Sequence, residues 1–162
     1  MAVLVLTTDS WYGPEGPNSL EHPEVFMFRT KDLTPPAFTS GHPVVSATLF
    51  TSALVAFQMD EPGTVYYAVA RQDGLAAPPV DALRMHQTGT EMPQRVFVTT
   101  GELNLTAGLV TEHITVDGLT SLTKFTLWAC GEDRYGNVMG EVAGRSFATL
   151  DDQPPRFLEL QV

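Results

Sequence analysis

The stretch "ALVAFQMDEPGTVYYAVAR", Ala53 to Arg71, decides the fold class. Apolar residues recur at every second position on both sides of Glu61-Pro62-Gly63, the period of a strand with one buried face. Val55, Phe57 and Met59 share one face of the first strand, and Val65, Tyr67 and Val69 share one face of the second. Pro62 presets φ for a tight turn and Gly63 tolerates positive φ, so the two strands read as a hairpin.

Outward from this hairpin the same two-residue period continues. Pro43–Leu49, Arg95–Thr100, His113–Leu119, Lys124–Cys130 and Gly144–Thr149 read as further strands, with Pro43 at a strand edge where no ladder donor is needed. On the Lys124–Cys130 strand, Phe125, Leu127 and Ala129 face the core, which leaves Trp128 and Cys130 on the opposite side. Only Pro78–Gln87 reads as helical, with prolines at its start and Val80, Leu83 and Met85 facing inward. Short strands separated by turns, without strand–helix alternation, give an all-β chain: an antiparallel β-sandwich of about seven strands.

One phrase occurs twice. "FRTKDLTPPAF" (Phe28–Phe38) and "FATLDDQPPRF" (Phe147–Phe157) match at six of eleven positions, 119 residues apart, including both Pro-Pro pairs. The strand before each copy corresponds as well: with Tyr12-Gly13 set on Tyr135-Gly136, Met1 falls opposite Lys124. A spacing of about one small domain marks the phrase as a joint between repeats. Residues 1–36 therefore read as the C-terminal hairpin and linker of one repeat, 37–150 as a complete repeat, and 151–162 as the linker into the next. Each Pro-Pro is expected to run as a stiff extended strut, with Phe38 and Phe157 tucking into the base of the domain that follows.

The stretch "GLTSLTKFTLWACGEDRYGN" (Gly118–Asn137) resembles the E–F corner and F strand of a fibronectin type III domain. In that family a leucine precedes the corner tyrosine by six residues. Here Leu119 precedes Phe125 by six, so the phenylalanine removes the hydroxyl that would bond the backbone. The Met59–Val69 hairpin beside "DRYGN" (Asp133–Asn137) and the closing Phe-x-Thr-x-Asp-x-x-Pro-Pro phrase also resemble Ig-like and fibronectin-like repeats of very large surface glycoproteins. The resemblance implies a tandem spacer or adhesion module, extracellular or on a cell surface, including the ciliary or flagellar surface. Its partners would be neighbouring repeats, other copies, or other surface glycoproteins. The alternative is a carbohydrate-binding domain or an accessory domain of a secreted enzyme.

Composition limits the other classes. Nine basic against nineteen acidic residues give a formal charge of −10, and no Lys/Arg cluster exists to neutralise phosphates, so nucleic acid is not an expected partner. No apolar run reaches the roughly 20 residues of a membrane helix. The single cysteine, Cys130, excludes an intrachain disulfide. His22, His42, His86 and His113 are scattered, and no nucleophile elbow, phosphate loop or zinc motif occurs, so an enzyme is not expected and no cofactor is required.

Three site expectations remain. Asn104-Leu105-Thr106 is an N-glycosylation sequon within the segment Gly101–Gly108, read as exposed. Asp151-Asp152 in the joint and Glu132-Asp133 in a loop offer hard oxygen ligands to calcium, with Asp133, Asp151 and Asp152 the candidates, but a Pro-Pro joint stiffens without metal and no metal is the expectation. Trp128, if open to solvent, could contact a sugar or a neighbouring chain; the favoured expectation is that the 72–94 segment folds over it.

Overall fold

The computed structural model describes strands β1 (Ala2–Val5), β2 (Tyr12–Gly13), β3 (Gly16–Pro17) and β4 (Val25–Phe28), and residues 30–71, 76–87 and 97–154. The chain divides into two compact units, residues 1–33 and 34–162. In the first unit β1 pairs antiparallel with β4, and β2 with β3.

The second unit is an all-β sandwich of seven strands. One sheet holds β5 (Val44–Thr48), β6 (Ala53–Phe57) and β9 (Glu112–Val116) in the order β5-β6-β9. The other holds β7 (Gly63–Arg71), β8 (Phe97–Leu105), β10 (Lys124–Asp133) and β11 (Ala143–Ala148) in the order β11-β10-β7-β8. Every pairing is antiparallel, so each strand presents alternate residues to the space between the sheets.

The core is the one that the alternation predicts. Val55, Phe57 and Met59 meet Val65, Val69, Phe125, Leu127 and Ala129 in a single buried cluster. Phe38 packs on Phe57 with ring centroids 6.3 Å apart, and Phe57 on Tyr67 at 5.9 Å. Phe38 thus folds back under the sandwich two residues after Pro36; its counterpart Phe157 lies outside the described residues.

Two strands run further than the sequence suggests. β8 continues through Gly101 to Leu105, although glycine weakens a strand. The glycine is required here, because any side chain at 101 would collide with the Tyr67 ring on β7. β10 continues past Cys130 to Asp133, since Glu132 pairs with Thr64 and bridges Val138. Glu132 and Asp133 are strand residues as a result, not loop residues.

The helix α1 (Val80–Gln87) joins β7 to β8 and lies on the outer face of the four-stranded sheet. Pro78 and Pro79 precede it and Asp81 sits in its first turn, where negative charge suits the helix dipole. Leu83 is buried beneath it against Ala68 and Cys130, with Tyr66, Phe97 and Trp128 packed around them, whereas Met85, expected on the inward face, lies on the far side of the short helix and is exposed.

The sandwich has two poles. The incoming pole carries residues 34–42, the β6–β7 turn, the β8–β9 loop and the β10–β11 loop. The outgoing pole carries the β5–β6 turn, residues 117–123 and residues 149–154. The chain therefore joins the sandwich at one end and leaves it at the other.

Candidate functional site

The expected site residues fall on different parts of the sandwich. Asn104 sits near the end of β8, an edge strand, opposite Thr64, with its side chain exposed. It is reached through strand and not through a loop, but the side chain faces solvent.

Asp133 closes β10 at the incoming pole and is buried. Its Oδ1 accepts the backbone amides of Tyr135 (2.7 Å) and Asn137 (2.8 Å), and its Oδ2 accepts the Asn137 side-chain amide at 2.7 Å. Burial opposes the ionised form most strongly. The hydrogen bonds from Asn137, Tyr135 and Gly136 together outweigh burial and hold the carboxyl below the usual carboxylate range. Its first task is thus to shape the turn into the β10–β11 loop. Glu61, on the β6–β7 turn, brings a carboxylate oxygen within 4.8 Å of Asp133.

Asp151 and Asp152 lie at the other pole. Asp151 Oδ1 accepts the Gln153 backbone amide at 2.8 Å, a local turn that aims the chain into Pro154. Asp152 accepts the Ser121 hydroxyl at 2.9 Å and the Gln153 side-chain amide at 3.1 Å; those bonds hold its carboxyl below the usual range. β10 spans ten residues between the poles, roughly 30 Å at strand rise. One ion cannot bridge Asp133 to Asp151 and Asp152 of the same sandwich.

Trp128 is half-buried and packs with the Leu83–Cys130 cluster, its ring lying over Gly144 of β11. It does not stand free as a platform. Cys130 beside it is wholly buried, and burial pushes its thiol up to about 11. Of the histidines, His42 shares a hydrogen bond with Thr39 at 3.1 Å and His113 is an exposed β9 residue; His22 and the His86 side chain lie outside the described residues.

Three arrangements have no obvious signature in the sequence. Arg84 of α1 grips Glu132 of β10 with two bonds of 3.0 Å, and the Tyr66 hydroxyl donates to the same carboxylate at 3.0 Å. Two residues 48 apart make this clamp, and no local spacing announces it.

The second is the corner. The Thr149 hydroxyl, buried after β11, donates to the Thr120 carbonyl at 2.6 Å and accepts the Thr123 amide at 3.1 Å. It ties the turn before β10 to the end of the sandwich.

The third is a row of exposed apolar side chains at the outgoing pole. The Leu150 amide donates to the Leu49 carbonyl at 3.0 Å, and the Leu122 amide donates to the Leu150 carbonyl at 3.0 Å. Phe50 is next to Leu49, and all four side chains are exposed.

No protein-family model matches the chain, and no curated protein does. A solved structure, the third fibronectin III domain of human KIAA0343 protein, is similar at 15% sequence identity and a TM-score of 0.44, covering 82% of this chain and 97% of that one. The strand layout, three strands against four with every pairing antiparallel, is of the fibronectin type III and Ig-like kind. No helix among the described residues is long and apolar enough to cross a membrane.

Proposed function

We propose that the chain is a structural spacer module of a tandem array, in a large extracellular or cell-surface glycoprotein, acting in spacing, assembly or adhesion. The observation that carries this reading is a shared register. In the first unit Ala2 lies opposite Phe28, Val3 opposite Met27, Leu4 opposite Phe26 and Val5 opposite Val25. The residues aligned with them make the same pairs in the sandwich: Phe125 opposite Phe147, Thr126 opposite Ser146, Leu127 opposite Arg145 and Trp128 opposite Gly144. A hairpin that repeats both phrase and register supports residues 1–36 as the end of a preceding module, 37–150 as a full one, and 151–162 as the next joint.

Geometry favours a spacer within such an array. Residues 34–42 and 149–154 lie at opposite poles, so tension applied through the chain runs along the strands and shears their hydrogen bonds together. The edge strand β8 carries Asn104, where a glycan would block edge-to-edge pairing with another sheet. The half-buried Trp128 gives little support to the carbohydrate-binding alternative.

Stretching a single polypeptide of four such modules tests the reading. Each should rupture as a separate event, releasing on the order of 400 Å of new contour length, as a stretch of about 120 residues does at roughly 3.4 Å each. Gradual lengthening without discrete events would refute a tension-bearing spacer. Expression through a secretory pathway should add a glycosidase-sensitive sugar at Asn104; an unmodified Asn104 in secreted chain would remove the glycoprotein part.

A further inference from the structure

Asp117-Gly118 joins β9 to the buried corner residue Leu119. The pair is anchored at both ends. On one side buried Val116 is paired with Ala53; on the other the Leu119 amide bonds the Thr51 carbonyl at 2.9 Å. Between these anchors both residues are exposed, and neither the Asp117 carboxylate nor the Gly118 amide shares a hydrogen bond with a described residue. Other aspartates of the sandwich are engaged. Asp60 accepts the Ala37 amide at 2.8 Å, Asp151 the Gln153 amide at 2.8 Å and Asp152 the Ser121 hydroxyl at 2.9 Å, while Asp133 holds its own turn. Gly118 has a φ of +77°, and a Cβ there would meet nothing within 4 Å, so no packing opposes rotation of the peptide plane between the two residues.

A free carboxyl, a free amide and no side chain crowding that amide are what attack of the backbone on its own side chain requires. We infer that Asp117-Gly118 is a self-modification site, where the chain converts slowly to isoaspartate. The Gly118 amide nitrogen forms a bond to Asp117 Cγ. The acid form of the carboxyl gives up its hydroxyl, which leaves as water with the amide proton, and a succinimide ring remains. Water then adds to either ring carbonyl. Cleavage of the new N–Cγ bond restores aspartate, and cleavage of the original peptide C–N bond leaves isoaspartate. Water is released once and consumed once, and no other reactant enters.

The consequence follows from the two anchors. Isoaspartate routes the main chain through Cβ and so adds a methylene between Val116 and Leu119. The added length is taken up where the chain enters the core, at Leu119, which lies in one buried cluster with Val116 and Phe125. Its displacement loosens the corner that leads into β10. The module thus carries a slow chemical clock beside its outgoing pole.

The sequence holds a second Asp-Gly, Asp73-Gly74, outside the described residues. Trypsin separates the two, because Arg84 and Arg95 lie between them. The 162-residue chain is stored at neutral pH in water enriched in heavy oxygen, then digested. Ring opening installs that oxygen at residue 117, and isoaspartate is told from aspartate by elution and by electron-transfer fragments. The Asp117 peptide should gain both, at a rate within about tenfold of a free peptide of residues 113–121, because the fold leaves the pair unprotected. Asp117→Glu closes a larger ring far more slowly and should gain neither. It should stay folded, since the Asp117 carboxylate holds no described residue in place. The isoaspartyl fraction should unfold at lower denaturant than the parent, and stored Asp117→Glu should not change.

A folded chain that stays unlabelled at residue 117 while the free peptide reacts overturns the inference, as does label confined to the Asp73 peptide. An isoaspartyl chain as stable as the parent overturns the coupling to Leu119. The spacer reading survives any of these results, since it stands on the rupture of modules in series.

Discussion

The buried hydroxyl of Thr149 donates to the Thr120 carbonyl at 2.6 Å, while the Thr123 amide donates to it at 3.1 Å. One side chain therefore satisfies both strands of the turn that leads into β10. Thr149→Val keeps the shape and takes this partner from the part-buried Thr120 carbonyl and Thr123 amide, at a cost of about 1–2 kcal/mol. Thr149→Ser keeps the hydroxyl and should cost under about 1 kcal/mol, the value of one buried methyl group. Chemical denaturation of the two variants checks this; equal losses would mean that packing and not the hydroxyl holds the corner.

Asp133 should make stability depend on acid. Its carboxyl is held below the ordinary range when folded, so the folded state binds a proton less readily than the unfolded chain. The contribution is complete above the ordinary carboxylate value near 3.9 and is lost as pH falls through the lower folded value. Asp133→Asn places an amide donor against the Asn137 amide and should destabilise at neutral pH. The gap between parent and variant should narrow below about pH 4. A gap independent of pH would contradict the assigned ionisation.

The clamp between Arg84 and Glu132 should govern access to Cys130. Glu132→Gln removes the charge that two Arg84 bonds and the Tyr66 hydroxyl share, weakening helix attachment by on the order of 1 kcal/mol. Thiol labelling of Cys130 should be slow in the parent, because the group is buried and its thiol is raised to about 11. Labelling should become several-fold faster in Glu132→Gln without a matching loss of global stability. Unchanged labelling would show that α1 is held by the Leu83 contacts alone.

Leu122 is exposed and holds a positive φ of 47°, a conformation that leucine tolerates poorly. Asn adopts positive φ more readily than leucine, so Leu122→Asn should be as stable as the parent or up to about 1 kcal/mol more stable. A thermal midpoint several degrees lower would mean that Leu122 packs within its own module after all.

Much of the sandwich was legible because its strands bury one face each. The two-residue period of Ala53–Arg71 and Lys124–Cys130 placed Val55, Phe57, Phe125 and Leu127 inside, and they are inside. The strand ends were less legible. Gly101 looks like a break until the Tyr67 ring fills the space above it, and Glu132-Asp133 looks like a turn until Thr64 pairs with it. The Arg84–Glu132 clamp depends on how an inserted helix lies across a sheet, which no local pattern encodes. The outgoing row was hidden differently: Leu49, Leu122 and Leu150 are far apart in sequence and meet only through backbone bonds at the pole. The threonine and aspartate of the repeated phrase could be seen in the sequence, but their work could not. Thr149 closes the corner and Asp151 turns the chain toward Pro154.

The central claim is that such modules follow one another at a stiff joint. It is tested most directly by small-angle X-ray scattering from a chain of residues 1–153 continued by a second copy of residues 35–154, so that Gln153 meets Pro35-Pro36. The account predicts two sandwiches at one fixed inter-module angle, with a profile unchanged by a calcium chelator. Replacing Pro35 and Pro36 of the joint by Gly and Ser should broaden the distribution. A profile loosened by chelation would hand the joint to calcium, with Asp133, Asp151 and Asp152 as the ligands to test. A pair that is flexible from the outset, and indifferent to the proline replacement, would contradict the account.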